Sequence, residues 1–124
     1  MKTTSIYRGY RFPPDIIAHA VWLYHRFALS LRDVEDLLAE RGVIVSYETI
    51  RQWCNVFGPQ FAQRIKARLG NRGDRWFLDE MVVSIGGERR YLWRAIDQDG
   101  DVLDILVQAQ KDTRAAKRFF RKLL

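Results

Sequence analysis

The most unusual candidate for chemistry is an aspartate within an apolar run. Asp79 lies mid-strand in a predicted strand over residues 75–85, and the two-residue period of a strand puts it on the same face as Met81. A carboxylate on an apolar face must be paired with a cation, protonated or bound to a metal ion. The local pattern favours an ion pair with an arginine such as Arg90 or Arg94. A snug ion pair turned away from any open cleft would contradict a metal-binding role.

A second group of candidate residues lies on the predicted third helix. Its outward side chains include Ser46, Tyr47, Arg51, Gln52 and Asn55. Arginine can bond guanine through two hydrogen bonds, and glutamine or asparagine can do the same with adenine. The hydroxyls of Ser46 and Tyr47 suit phosphate groups. The alternative is an amphipathic helix whose polar face is only solvated, and periodicity does not separate the two interpretations.

The charge of the chain favours a polyanionic partner. The 124 residues include 21 Lys and Arg against 15 Asp and Glu, which gives a net charge of +6 and a pI near 9.8. The predicted second helix is acidic, so DNA must instead meet the third helix and the basic residues on either side of the bundle. Those after it are Arg64, Lys66 and Arg68, and those before it are Arg8 and Arg11.

Apolar residues at helical spacing organise the first half of the chain. A first helix is predicted to begin at Pro13-Pro14, because the fixed φ of proline suits a first turn. A second begins at Ser30, which forms a capping box with Asp33, and ends at Gly42. The inward stripe of the first helix is predicted to comprise Ile16, Ile17, Ala20, Val21, Tyr24 and Phe27.

The third helix is predicted to begin at the capping residue Ser46 and to stop at Gly58-Pro59. A fourth helix then covers about residues 59–69. A helix, a short glycine-bearing turn and a capped helix are typical of a helix-turn-helix, whose second helix enters the major groove. The inward residues of the third helix are Ile50, Trp53, Cys54 and Phe57.

The second half changes to short β-rich runs after a polar linker near residue 70. Strands are predicted at 75–85, 89–96 and 102–107, followed by a helix from Asp112 to the chain end. The fold class is therefore α+β, a helix-turn-helix bundle followed by a three-stranded antiparallel meander with one helix. The predicted domains are 1–70 and 71–124.

Several protein classes are excluded by what the sequence lacks. Cys54 is the single cysteine, which excludes an internal disulfide framework and most Cys-rich zinc sites. No run approaches the roughly 18 apolar residues that a membrane span needs, and the N-terminus has no apolar segment typical of a signal peptide. We therefore expect a cytoplasmic protein with no membrane partner.

Seven stretches of the sequence match motifs of a known family, in the same order along the chain: residues 10–13, 29–35, 40–43, 47–53, 76–81, 90–97 and 113–120. The fifth reads Trp76-Phe77-Leu78-Asp79-Glu80-Met81. Together they resemble the bacterial DDE transposases of the insertion-sequence-six family, over nearly the whole chain.

The resemblance implies a helix-turn-helix followed by a ribonuclease-H-like catalytic domain that cuts and joins DNA at terminal inverted repeats. In such enzymes three carboxylates hold two divalent metal ions, usually Mg²⁺, which activate the attacking oxygen and stabilise the leaving oxygen. Asp79 matches the first carboxylate, as a catalytic and metal-binding residue, and this outweighs the local preference for a plain ion pair. Met81 and Ser84 depart from the residues usual in the family but remove no ligand.

The second aspartate and the glutamate of the family would follow Leu124, and none of Asp97, Asp104 and Asp112 replaces them. We therefore expect a truncated transposase that keeps DNA binding, loses strand transfer and binds Mg²⁺ weakly, because one aspartate offers too few ligands. The strand that carries Asp79 should be an open edge. Two other interpretations are a helix-turn-helix transcriptional regulator and a non-functional remnant, and a homodimer is left open.

Overall fold

The computed structural model describes residues 11–68 and 75–123, with side chains for 11–58 and 75–122. Its elements in chain order are α1 (Pro14–Arg26), α2 (Leu31–Glu40), α3 (Tyr47–Arg68), β1 (Trp76–Ile85), β2 (Glu88–Asp97), β3 (Val102–Gln108) and α4 (Thr113–Leu123). The predicted α+β class is confirmed: three helices precede a three-stranded antiparallel sheet and a further helix. None of the described helices is both long and apolar enough to cross a bilayer.

The first two helices begin where the sequence predicts. Pro14 is the first residue of α1 and follows an extended Pro13. At the start of α2, the Ser30 hydroxyl accepts a hydrogen bond from the Asp33 amide at 3.0 Å. The Asp33 carboxylate accepts one from the Ser30 amide at 3.3 Å, which completes the capping box.

The third helix is longer than predicted. It runs unbroken over Tyr47–Arg68, so the predicted stop at Gly58-Pro59 and the separate fourth helix are wrong. Gly58 instead allows a close helix contact, because a Cβ there would lie 2.9 Å from Nε2 of His25 on α1. Pro59 removes one hydrogen bond to the carbonyl of Asn55, but Asn55 is exposed, so water can bond to that carbonyl.

The sheet lies between two helical layers. Its strands are antiparallel in the order β1-β2-β3, and successive residues of β2 and β3 mostly alternate between the layers. The core shared with α1, α2 and α3 receives from the sheet Leu92, Ile105 and Val107. The core beneath α4 joins Trp93, Ala95 and Leu106 of the sheet to Ala116 and Phe120 of the helix.

Most residues predicted to face inward are buried or half-buried. The exception on α1 is Phe27, which is 50% exposed because the helix ends at Arg26, and Leu23 is buried instead. Since the helices and the sheet share a core, they pack as neighbours. The predicted domain boundary at residue 70 lies outside the described residues, and the division into two domains stays a prediction.

A buried ion pair joins the helical layer to the sheet. Arg41, directly after α2, donates from Nε to Oδ1 of Asp104 at 2.6 Å and from Nη2 to Oδ2 at 3.0 Å. Nε2 of His19, on α1, lies 3.5 Å from Oδ1 of Asp104. Burial would raise the pKa of Asp104, but the neighbouring His19 and Arg41 outweigh burial and lower it to about 2. No local pattern in the sequence predicts this cluster.

The loop after α2 also covers the outer edge of β3. The amide of Val107 donates to the carbonyl of Arg41 at 2.7 Å. Gly42 has a φ of +84°, and a Cβ there would lie 2.2 Å from the carbonyl oxygen of Val107, so only glycine fits. At the other side of the sheet, β1 has no strand neighbour beyond β2 within the described part of the chain.

Candidate functional site

Contacts from α2 fix the start of α3. The Ser46 hydroxyl accepts a hydrogen bond from the Thr49 amide at 3.3 Å, which confirms Ser46 as the cap. The Tyr47 amide donates to Oε2 of Glu35 at 3.1 Å. The guanidinium of Arg32 lies 4.5 Å from the centre of the Tyr47 ring and 3.5 Å from its hydroxyl. The hydroxyls of Ser46 and Tyr47 therefore lie at a structurally defined helix end.

The polar and apolar sides of α3 are separated as the DNA-reading hypothesis requires. Its inward residues Ile50, Trp53, Cys54 and Phe57 are buried. Arg51, Gln52 and Asn55 are exposed on the opposite side. The two faces of one helix thus provide the anchoring and an accessible polar surface.

Arg51 is held by a neighbour on its own helix. Its guanidinium forms an ion pair with Glu48, three residues earlier, and this hydrogen bond raises the pKa of Arg51. The side chain is still 54% exposed. Ion pairs in solvent are weak, so Arg51 can exchange Glu48 for another hydrogen-bond acceptor at little cost.

A shallow cleft of about 420 Å³ adjoins the first turn of α3. Ser46 and Gln52 line it from the helix, Arg11 lines it from the segment before α1, and Ile85 lines it from the end of β1. Arg11, predicted as a basic flank, therefore lies beside the predicted DNA-reading face. Arg8 lies outside the described residues, as do the side chains of Arg64, Lys66 and Arg68 on the later turns of α3.

Cys54 has no reactive role in this arrangement. It is buried among the inward residues of α3, and burial raises the pKa of its thiol to about 11. The thiolate is the reactive form of cysteine, so Cys54 is inert near neutral pH. This agrees with its interpretation as a small core residue.

Asp79 lies on β1 directly opposite Arg94 on β2. Arg94 donates from Nε to Oδ1 of Asp79 at 3.0 Å and from Nη2 to Oδ2 at 2.6 Å. The hydrogen bond to Asp79 raises the pKa of Arg94. The ion pair favoured by the local sequence pattern is therefore confirmed, with Arg94 as the partner.

The Asp79–Arg94 pair is accessible to solvent. The Asp79 side chain is 42% exposed and that of Arg94 is 21% exposed. Arg94 also lies 3.4 Å from Oδ1 of Asp15 at the start of α1, so it links three elements. The ion pair is snug, as a plain structural role requires, but the carboxylate is not turned away from solvent. Catalysis and metal binding by Asp79 stay predictions.

The described residues do not by themselves form a metal site. Within residues 11–68 and 75–123, no three His, Cys, Asp or Glu side chains converge. Both oxygens of Asp79 are engaged by Arg94, and Glu80 pairs with Lys111 at 3.0 Å. Three further aspartates have separate roles in a turn, an ion pair and a helix cap, namely Asp97, Asp104 and Asp112.

Comparison with known proteins finds sequence similarity to transposases. Residues 73–124 match a family described as a DDE domain. The chain is 36% identical over 120 residues to the transposase for insertion sequence-like element IS431mec of Staphylococcus aureus strain Mu50. Its identity to the transposase for insertion sequence element IS257 in transposon Tn4003, also from Staphylococcus aureus, is likewise 36% over 120 residues.

The alignments cover most of this chain but not of its relatives. They include 97% of the chain and 54% of each relative. The chain therefore spans about half the length of the curated relatives it matches. No solved structure gives a significant match.

Proposed function

On the premise that this chain is a homologue of insertion-sequence transposases over nearly its whole length, as its motifs predict, we propose that it binds DNA at the terminal inverted repeats of such an element. The observation that carries the proposal is the two-sided structure of α3. Its exposed side offers Arg51, Gln52 and Asn55, and its buried side fixes them to the bundle. Side chains of these types read base edges in the major groove.

The contacts around α3 support different roles for the residues along the helix. Ser46 and Tyr47, at its start, are the proposed phosphate contacts, and Arg11 adds a positive charge across the cleft that adjoins Ser46. Arg51 exchanges Glu48 for a guanine edge when DNA is bound. Gln52 and Asn55 are the candidates for adenine contacts. Arg64, Lys66 and Arg68 complete the proposed DNA-binding set on the sequence argument alone.

Asp79 is the proposed first acidic residue of the catalytic site of the intact enzyme, with Mg²⁺ as the metal. Its support is a place on the first strand, in a stretch that matches the DDE domain, with a carboxylate open to solvent. The described residues supply no companion ligands, so neither cleavage nor strand transfer is proposed for them alone. Domains at 1–70 and 71–124, a cytoplasmic location and a homodimer belong to the same proposal.

The DNA-binding part is tested by sequence discrimination. Duplexes enriched by the protein from a random pool are compared with shuffled versions by fluorescence anisotropy. Arg51→Ala should lower discrimination between them by roughly ten- to a hundredfold, the value of one bidentate base contact. The matched control is Arg75→Ala, an exposed arginine beside β1, which should leave discrimination unchanged.

Two outcomes would contradict the assignment. An equal loss of affinity for all duplexes would make Arg51 a phosphate contact. A wild-type affinity that does not change with salt would exclude phosphate contacts and so contradict the proposed mode of DNA binding, because each phosphate contact contributes about −0.9 to the slope of log affinity against log salt.

A further inference from the structure

The last helix carries a concentrated positive charge. Within Thr113–Leu123 there are five basic residues and no acidic one, and all five are exposed: Arg114, Lys117, Arg118, Arg121 and Lys122. At 100° per residue they fall within an arc of about 140°, and they extend about 12 Å along the helix axis. They therefore form one continuous surface, the α4 basic face.

The charge of this face is not neutralised within the described part of the chain. None of its five residues has an ion-pair partner there. The nearby Lys111 is paired with Glu80 on β1, and Asp112 caps the helix by accepting from the Ala115 amide at 2.9 Å. Five uncompensated charges so close together attract a polyanion.

The other side of α4 is already occupied. Ala116 and Phe120 are fully buried against Trp93, Ala95 and Leu106 of the sheet. A helix that inserts into a lipid surface needs a free apolar face, and the described apolar residues Ala116 and Phe120 of α4 are buried against the sheet. The arrangement favours a phosphate backbone over a membrane.

We propose that the α4 basic face binds the phosphate backbone of duplex DNA without reading its sequence, on a segment that α3 does not contact. The inference rests on the proposed function for DNA as the partner. The separation follows from the fold, because α1, α2 and α3 cover one face of the sheet and α4 covers the other. Sequence readout is not proposed for this face, because phosphate contacts position a duplex without carrying sequence information.

The test compares two variants that remove the same charge from different places. Arg118→Gln/Arg121→Gln alters the α4 basic face, and Arg75→Gln/Arg89→Gln removes two exposed arginines elsewhere. Affinity for a mixed-sequence duplex is measured by fluorescence anisotropy at several salt concentrations. The α4 variant should make the slope of log affinity against log salt less negative by about 1.8, or about 0.9 for each phosphate no longer bound, and the control should leave it near the wild-type value. Thermal melting checks that both variants are folded.

Each alternative outcome is separable from the others. Equal slopes for the two variants would overturn the α4 site. If the wild-type protein binds phosphatidylserine vesicles through α4 while its DNA slope is unchanged in the α4 variant, the partner is a lipid surface and the inference is wrong. Gln52→Ala/Asn55→Ala should lose sequence preference but keep the salt slope. If that variant loses sequence preference while the α4 variant keeps the wild-type salt slope, only the inference about α4 is wrong. If the wild-type protein binds no DNA, the proposed function is wrong as well.

Discussion

Two strand aspartates in this protein each form a two-point ion pair with an arginine, but in different surroundings. The Asp104 and Arg41 side chains are 11% and 9% exposed, between the helices and β3. The Asp79 and Arg94 side chains are 42% and 21% exposed, on the hairpin of β1 and β2. Partner type and geometry are nearly the same, so the difference between the pairs is their access to water.

That difference assigns the pairs different roles. Removing one partner of a buried pair leaves a charge without water or a counter-ion, which is strongly destabilising. Removing one partner of an exposed pair leaves a charge that water can solvate. We therefore expect Asp104 to act as a structural link, whereas the pair of Asp79 and Arg94 is open to solvent.

The largest expected effect follows from breaking the buried pair. Arg41→Ala should lower the free energy of unfolding by about 3–5 kcal/mol, because Asp104 would remain buried without its main partner. Urea unfolding followed by circular dichroism measures the change. The double variant Arg41→Met/Asp104→Leu should recover much of it, and a loss below about 1 kcal/mol for Arg41→Ala would show that the cluster is not a structural link.

The second effect is a pH dependence from the same pair. The folded pKa of Asp104 is about 2, below its ordinary value of 3.8, so the stabilisation is complete above about pH 4 and is lost as the pH falls through 2. The contribution is about 2 kcal/mol. Unfolding measured between these pH values should show it in the wild type and lack it in Asp104→Asn. The same acid sensitivity in both proteins would assign it to other carboxylates.

A smaller effect is expected at the exposed pair. Arg94→Ala should change the free energy of unfolding by about 1 kcal/mol or less, since solvent replaces the missing partner. The control is Arg90→Ala, which removes an arginine paired with Glu88 on the same strand. A loss as large as that in Arg41→Ala would mean that the Asp79–Arg94 pair is also a structural link.

The smallest expected effect concerns divalent metal ions. Mn²⁺ should broaden NMR signals near Asp79 only weakly in the wild type, because Arg94 engages both carboxylate oxygens and companion ligands are not present among the described residues. Arg94→Ala should increase the broadening, and Asp79→Asn in the same background should abolish the increase. Broadening that persists without Asp79 would place the ion elsewhere.

The predictions that succeeded depended on local pattern. An arginine partner for Asp79, such as Arg90 or Arg94, was predicted from the local pattern, and the hairpin with Gly86-Gly87 at its turn aligns Asp79 with Arg94. The capping box at Ser30 and the helical spacing of the α3 core are equally local signals. Fold class and element order follow from such signals, as does the similarity to insertion-sequence transposases.

The predictions that failed or were missing depended on distant contacts. Gly58-Pro59 did not stop α3, and Gly58 lies close to His25 on another helix, a contact that no local pattern shows. Asp104 interrupts an apolar strand just as Asp79 does, but its partner Arg41 lies 63 residues away and no periodicity connects them. Burial decides which of the two aspartates is available for chemistry, and burial is a property of the packed molecule.

The hydrogen bond from the Val107 amide to the Arg41 carbonyl makes the two edges of the sheet unequal. The Val107 amide on the far side of β3 is already bonded, so a further strand would meet one donor fewer there. The edge of β1, which has no strand neighbour beyond β2 in the described part of the chain, is therefore the more open place for an added strand. A strand added there would bring new side chains next to Asp79 on β1 and none next to Asp104 on β3. The neighbours of the exposed carboxylate could therefore change, whereas those of the buried carboxylate would stay the same.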